Sequence, residues 1–165
     1  MYKKIFLIVN ILCLAMLCLT FANAKEYTIG DYDFSWRVAK AGDVGMDVQK
    51  NPKGVSIVLR SPGGGLARLT MTPLQAVAVG DVLKKTGAYY DEQMKQKDPN
   101  MEKQVSAGDH TVNFSSSRGK QFQVSVRKSA AGAAVLMNRE QALKMGKYMS
   151  DAEKMAALVN ERIRP

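Results

Sequence analysis

Met71-Thr72-Pro73-Leu74-Gln75-Ala76-Val77-Ala78-Val79-Gly80-Asp81-Val82-Leu83 and Met137-Asn138-Arg139-Glu140-Gln141-Ala142-Leu143-Lys144-Met145-Gly146-Lys147-Tyr148-Met149 are one block written twice, 66 positions apart. Met, Gln, Ala and Gly recur at matching offsets. Thr72 and Asn138 stand where a helix N-cap is wanted, because a short side-chain oxygen there accepts from an otherwise orphaned backbone N–H. Pro73 occupies the first helical position, where its missing N–H costs nothing. Each block follows a segment of period two and opens an amphipathic stretch, so each marks the passage from sheet to helix.

Working back from the first block, Tyr32, Phe34, Trp36 and Val38 alternate with polar residues, as in a strand with one face buried. Ala41-Gly42-Asp43 turns the chain, and Met46 and Val48 continue the alternation. Asn51-Pro52-Lys53-Gly54 is a second turn. Val55, Ile57 and Leu59 form a third strand, a turn follows over 61–65, and Ala67, Leu69 and Met71 form a fourth. The first helix is expected to run from Pro73 to about Lys97, with Leu74, Ala78 and Val82 on one stripe and Leu83, Tyr90 and Met94 beside it. Asp98-Pro99-Asn100 ends it.

The second half repeats this plan. Ala107-Gly108-Asp109 matches Ala41-Gly42-Asp43 at the spacing of 66, and Val112 and Phe114 match Met46 and Val48. Phe122, Val124 and Val126 match Val55, Ile57 and Leu59 only at 67, and Ala133, Val135 and Met137 return to 66. A strand that slipped by one residue would turn its apolar face outward. The loop before the third strand has therefore gained a residue, and the loop after it has lost one. Ala142, Met145, Met149, Ala152, Met155, Val159 and Ile163 set out a buried stripe on the closing helix. The fold class is α+β: a tandem ββββα-ββββα duplication, its antiparallel sheets each covered by a helix, packed as a pseudo-dimeric single domain around one core. The repeats cover about 31–97 and 98–163. The methionines fit packing between helix and sheet.

The N-terminus carries a different signal. Lys3 and Lys4, an apolar run from Ile5 to Phe21, and Ala22-Asn23-Ala24 read as a signal peptide cleaved after Ala24. The mature chain, 25–165, is expected in the periplasm or secreted, from a bacterial host. Cys13 and Cys18 leave with the signal, so neither a disulfide nor a thiolate site is expected. Of 24 basic residues two leave, and 22 against 15 acidic ones give +7. That charge favours an anionic partner such as nucleic acid, phospholipid or acidic polysaccharide, and also serves solubility.

Catalysis is not indicated. One histidine and no remaining cysteine leave no Cys-His pair and no His-rich metal spacing. His110 follows Asp109 in a turn and reads as a solvated loop histidine. Asp31 and Asp43 fall in turns, and Asp33 and Asp47 at outward strand positions. The glycine-rich 61–65 turn lacks the Lys-Ser/Thr ending of a phosphate loop. Neither a cofactor nor a metal is expected. The informative pattern is the outward parity of the strands: Arg37, Gln49, Arg60 and Arg68 in the first copy, and Asn113, Gln123, Ser125 and Arg127 in the second. Lys53, Arg118, Lys120 and Lys128 add positive charge at hairpin ends. Arg37, Lys53, Arg60, Arg68, Arg118, Lys120, Arg127 and Lys128 are thus the anion-binding candidates. Tyr32, Phe34, Trp36, Phe114 and Phe122 share the inward parity and are expected in the core, leaving the basic face without stacking groups.

Two tandem copies of four antiparallel strands and a helix, over about 31–163, resemble the Whirly family of single-stranded-DNA-binding proteins and the related coactivator fold. The resemblance is one of topology. It implies a single-stranded nucleic acid as ligand and carries over no site residue, since the basic signature of Whirly strands is absent. The expected function is an exported, non-enzymatic binding module with a basic sheet face for an anionic partner, nucleic acid or another polyanion such as a polysaccharide. The alternative is an envelope protein-interaction or assembly subunit that uses its helix surfaces or a free sheet edge. Loss of binding as salt rises separates the first from the second.

Overall fold

A computed structural model of the chain describes residues 30–61, 67–96, 100–128 and 132–163. The expected signal segment with its expected cleavage site at Ala22 and Ala24 lies outside the described residues, as do residues 62–66, 97–99 and 129–131. The first copy forms β1 (Phe34–Ala41), β2 (Val44–Asn51), β3 (Gly54–Ser61) and β4 (Ala67–Met71), followed by helices α1 (Pro73–Leu83) and α2 (Thr86–Lys95). The second forms β5 (Asn100–Ala107), β6 (His110–Ser117), β7 (Gln121–Arg127) and β8 (Ala134–Met137), followed by α3 (Arg139–Ser150) and α4 (Ala152–Arg162). Each copy builds a four-stranded antiparallel sheet in sequential order, β1-β2-β3-β4 and β5-β6-β7-β8. No helix among the described residues is long and apolar enough to cross a membrane.

The expected insertion and deletion are visible in the register. Asn51 pairs with Gly54 across two residues, whereas Ser117 pairs with Gln121 across three. Seven residues separate the paired Arg60 and Arg68, but six separate Arg127 and Ala134. Both helix starts are closed by reciprocal capping boxes. Gln75 N–H donates to Thr72 Oγ1 and Thr72 N–H to Gln75 Oε1, at 3.2 and 2.9 Å; the Asn138–Gln141 pair repeats this at 2.9 and 2.9 Å.

Three expectations need correction. Each long helix is in fact two. The first breaks at Lys84–Lys85, where Thr86 Oγ1 donates to the freed Leu83 carbonyl at 2.5 Å, and the second breaks at Asp151. The break divides two tasks: α1 and α3 pack on each other, while α2 and α4 turn down onto sheets. Leu74 is 67% exposed; the buried face of α1 runs Ala76, Val79, Gly80 and Leu83, the i, i+3, i+4, i+7 stripe counted from Ala76, and Val82 of the expected stripe is buried beside it. His110 is no solvated loop residue. It begins β6 at the position equivalent to the fully buried Val44 and is 1% exposed.

Apolar residues of both inner sheet faces and all four helices join in one core cluster, with Met46, Val48, Ile57, Leu59, Val112, Phe114, Val124, Met137, Met145 and Met149 at its centre. The copies exchange helices to build it. α2, from the first copy, lies on β6: Tyr89 packs at a tilt against Phe114 with centroids 4.4 Å apart, Tyr90 meets Phe122 edge-on at 5.2 Å, and Gln93 Nε2 donates to the Phe114 carbonyl at 3.1 Å. α4, from the second copy, lies on β2 and β3, and Lys50 Nζ caps its end by donating to the carbonyls of Asn160 (3.3 Å) and Ile163. Two more contacts repeat under the same pseudo-two-fold relation. Gln75 Nε2 donates to Asp109 at 3.0 Å, and Gln141 Nε2 to Asp43 at 2.7 Å. Each capping-box glutamine thus pins its helix to the other copy's β-turn. Gly80 and Gly146 meet where α1 crosses α3: a Cβ on Gly80 would lie 3.0 Å from the Gly146 carbonyl oxygen, and one on Gly146 would lie 3.1 Å from that of Gly80.

Candidate anion-binding face

Three of the eight basic candidates converge. β2 is the second strand of the first sheet, and its outward residues Asp47 and Gln49 are flanked by arginines from β1, β3 and β4. Arg37 lies opposite Asp47 in the β1–β2 register, Arg60 lies opposite Gly45 on β3, and Arg68 lies opposite Arg60 on β4. Arg37 Nε donates to Asp47 Oδ1, and Arg60 Nε forms an ion pair with Asp47 Oδ2 at 2.8 Å. Arg68 Nη2 donates to Gln49 Oε1 at 2.6 Å. Gly45 makes room for this cluster, because a Cβ there would stand 3.0 Å from the Arg37 guanidinium carbon.

The face is therefore not uniformly wet. The Asp47 side chain is 3% exposed, beneath two arginines whose side chains are 50% and 36% exposed. A carboxylate buried so deeply is costly unless its charge is matched, and Arg37 and Arg60 match it with one Nε each. The hydrogen bond to Asp47, and then its charge, raise the Arg37 pKa, keeping the guanidinium charged. Arg37 Nε is committed to Asp47, Arg60 Nε lies buried in its ion pair with Asp47 without a hydrogen bond, and the Nη donors of both have no partner among the described residues. Two guanidinium groups share the Asp47 carboxylate while Arg68 has only the neutral Gln49 amide, and Arg60 sits directly across from Arg68, where like charges are unfavourable. A bound anion would relieve that repulsion and accept from the unused donors in the fork geometry that suits phosphate, sulfate or carboxylate oxygens.

The other five candidates do not join this cluster. Lys53 sits in the β2–β3 turn, exposed, at the far end of β2 from Gly45, about 20 Å along the strand. Arg118 and Lys120 occupy the β6–β7 turn, while Arg127 and Lys128 are at the opposite end of β7. The second sheet has no equivalent lattice: Asn113 replaces Asp47, with its Oδ1 buried and unpartnered, and Ala134 replaces Arg68. Among the described residues the cluster occurs once. Strand parity marks the three arginines and also places Asp47 outward, but it does not mark Asp47 as buried. An acid outward on a central strand between arginines on its neighbours was the available signal.

The aromatic expectation divides. Phe114 is fully buried and Phe122 packs against the core, but Tyr32, Phe34 and Trp36 do not join it. Their parity is inward, with Trp36 opposite Val48. However, β1 is an edge strand and α4 lies over β2 and β3, so the rings overhang the core. Phe34 is 39% exposed and stacks between Tyr32 and Trp36, with centroids 5.6 Å away on each side. A register shift between Arg37 and Ala39 then restores the buried parity at Ala39 and Ala41. The sheet edge thus carries an aromatic ladder on one face and Arg37 on the other.

Both ring nitrogens of His110 are buried without a partner, and desolvation, followed by the nearby Lys128 charge, lowers its pKa. Among the described residues no three His, Cys, Asp or Glu side chains gather as a metal site. The chain matches no protein-family model and no curated protein.

Proposed function

We propose that the chain is a non-enzymatic binding module, exported to the periplasm or beyond, whose arginine face on the first sheet engages an anionic partner. The observation that carries this reading is the cluster of Arg37, Arg60 and Arg68 over the single buried carboxylate of Asp47, with guanidinium donors left unused. Nucleic acid is the favoured polyanion. Tyr32, Phe34 and Trp36 supply partly exposed rings on the same edge strand as Arg37, though on its other face, so a single strand wrapping that edge could stack its bases on them. The topological resemblance to the Whirly family supports the same choice. Export is read from the Lys3-to-Ala24 segment alone.

The test is a titration of residues 25–165 with a fluorescent single-stranded oligonucleotide at low and near-physiological salt, with heparin and anionic vesicles in parallel. The reading expects oligonucleotide binding that outlasts heparin binding as salt rises. The Arg60→Ala/Arg68→Ala variant should bind more weakly and lower the steepness of the log K against log salt plot by roughly 1.4, at about 0.7 per lost phosphate contact. Binding unchanged in that variant, or absent in the parent, overturns the arginine-face proposal.

The second reading, an envelope interaction or assembly subunit, draws on the exposed ring ladder at the free edge of β1, an apolar surface suited to a protein partner. It expects self-association or partner capture insensitive to salt and abolished by Phe34→Ser.

A further inference from the structure

The duplication provides an internal comparison that points to a second site. On the outer face of the second sheet, the rows read Asn100–Ser117–Gln121, Glu102–Ser115–Gln123 and Gln104–Asn113–Ser125 across β5, β6 and β7. Eight of these nine residues are uncharged amides or hydroxyls and Glu102 is the one ionised group among them, while the next row of the face, Ser106–Thr111–Arg127, adds Arg127 at the far end of the sheet. The corresponding face of the first sheet carries the arginine cluster. Strand formation does not account for this composition: Asn is depleted in strands, and Ser is not among the residues enriched there. A merely solvated sheet face is more often given charge of both signs, which aids solubility.

The face is also shaped. Asn100, Glu102, Ser115, Ser117, Gln121 and Gln123 line an open groove of about 370 Å³ at the end of the sheet nearest the β6–β7 turn. That volume lies within the roughly 300–1,000 Å³ of small-molecule pockets, but the lining does not match the apolar and aromatic walls usual for them. Met101 is its only apolar side chain. Glu102 is held in place by Gln104, whose Nε2 donates to Glu102 Oε1 at 2.9 Å, leaving Oε2 to accept from a ligand.

We propose that this groove binds a neutral oligosaccharide. A sugar presents neighbouring hydroxyls, each a donor and an acceptor, and the groove presents amides and hydroxyls that match both. A fixed carboxylate oxygen accepts strongly from a sugar hydroxyl because the bond is charge-assisted. The carboxylate disfavours polyanions, and a lining without aromatic rings and with Met101 as its one aliphatic residue disfavours lipids and hydrophobic peptide anchors. The groove lies on the second sheet, away from the arginine cluster, so this site stands or falls independently of the anion-binding reading.

The test is a two-dimensional NMR titration of residues 25–165 with chitotetraose, cellotetraose and maltotetraose in turn, at low and at high salt. At least one sugar should produce saturable shifts of amides in β5, β6 and β7, unchanged by salt because no ligand charge is involved. The Glu102→Ala/Gln123→Ala variant alters exposed side chains, so it should keep the parent's urea midpoint while affinity falls about tenfold or more. No saturable shift with any of the three sugars overturns the proposal. So does a shift that the double variant leaves intact, or one that maps to the first sheet.

Discussion

The crossing of α1 over α3 makes a prediction whose sign differs from the usual one. Alanine in place of glycine inside a helix normally stabilises by about 1 kcal/mol, through reduced freedom of the unfolded chain. At Gly146 a Cβ would stand 2.9 Å from the backbone nitrogen of Lys84, and at Gly80 it would stand 2.8 Å from that of Ser150. Both obstacles are backbone, so relief requires one whole helix to move off the other and not merely a side-chain rotation. Overpacking of this kind costs about 1–3 kcal/mol. With backbone on both sides the upper half of that range applies, and subtracting the propensity gain leaves a net loss of about 1–2 kcal/mol for Gly146→Ala. Urea denaturation followed by the fluorescence of Trp36 reads this as a midpoint lowered by roughly 0.5–1 M, for a slope of about 2 kcal/mol per M. Gly87→Ala in α2 is the control: nothing lies within 4 Å of its Cβ position, so it should raise the midpoint. Combining Gly80→Ala with Gly146→Ala should cost less than the two single losses added together, because one separation of the helices relieves both clashes. A Gly146→Ala protein as stable as the parent, or strictly additive losses, would refute the close crossing.

Two further perturbations test the core and the seam between copies. His110→Val restores the residue type of the equivalent Val44 and removes two unpartnered ring nitrogens, for an expected gain of about 1 kcal/mol at neutral pH. The folded pKa of His110 lies below its unfolded value of about 6.5, so the unfolded state takes up the proton first. Stability of the parent should therefore fall as pH drops below about 6.5, and the advantage of the variant should widen there; melts at pH 7.5 and 5 that run parallel would contradict the burial. Gln141→Glu keeps the acceptor needed by the capping box but loses the donor to Asp43 and sets two carboxylates face to face. It should cost about 1 kcal/mol at neutral pH, and that cost should shrink in acid as the pair takes up a proton.

The local grammar of this chain was legible because each signal acts over a few residues. Thr72 and Asn138 cap helices, Gly42 and Gly108 adopt φ of 61° and 60° in matching turns, and the one-residue gain and loss follow from keeping Val124 and Val126 on the inward face. What escaped the sequence depends on tertiary placement. Alternation put Phe34 and Trp36 on the inward side, but it carries no information about how far a helix extends over an edge strand. Asp47 obeyed outward parity and was nonetheless buried, by arginines contributed from strands on both sides of it. The helix breaks at Lys84 and Asp151 contain neither proline nor glycine; they arise because α2 and α4 must reach the opposite sheet. His110 followed a turn by position, yet it belonged to the strand by its equivalence to Val44. The glutamine shared by both blocks stood out only as a repeated residue, and its bonds, to the N-cap and to the other copy's Asp, had no further local mark.

The exchange of α2 and α4 between the sheets has a consequence in mass action. A chain ending after one copy would leave its second helix without the sheet it lies on, so it could complete its core only by meeting a second chain, and its stability would rise with concentration. Joining two copies through a short connection makes that encounter intramolecular, at a high effective concentration that dilution does not change. It also lifts a constraint that symmetry imposes on any homodimer, in which every substitution appears on both sides at once. Once the halves are covalently joined, Asp47 and Asn113, or Arg68 and Ala134, can be chosen separately, and one sheet can gather arginines while its counterpart carries mainly amides and hydroxyls.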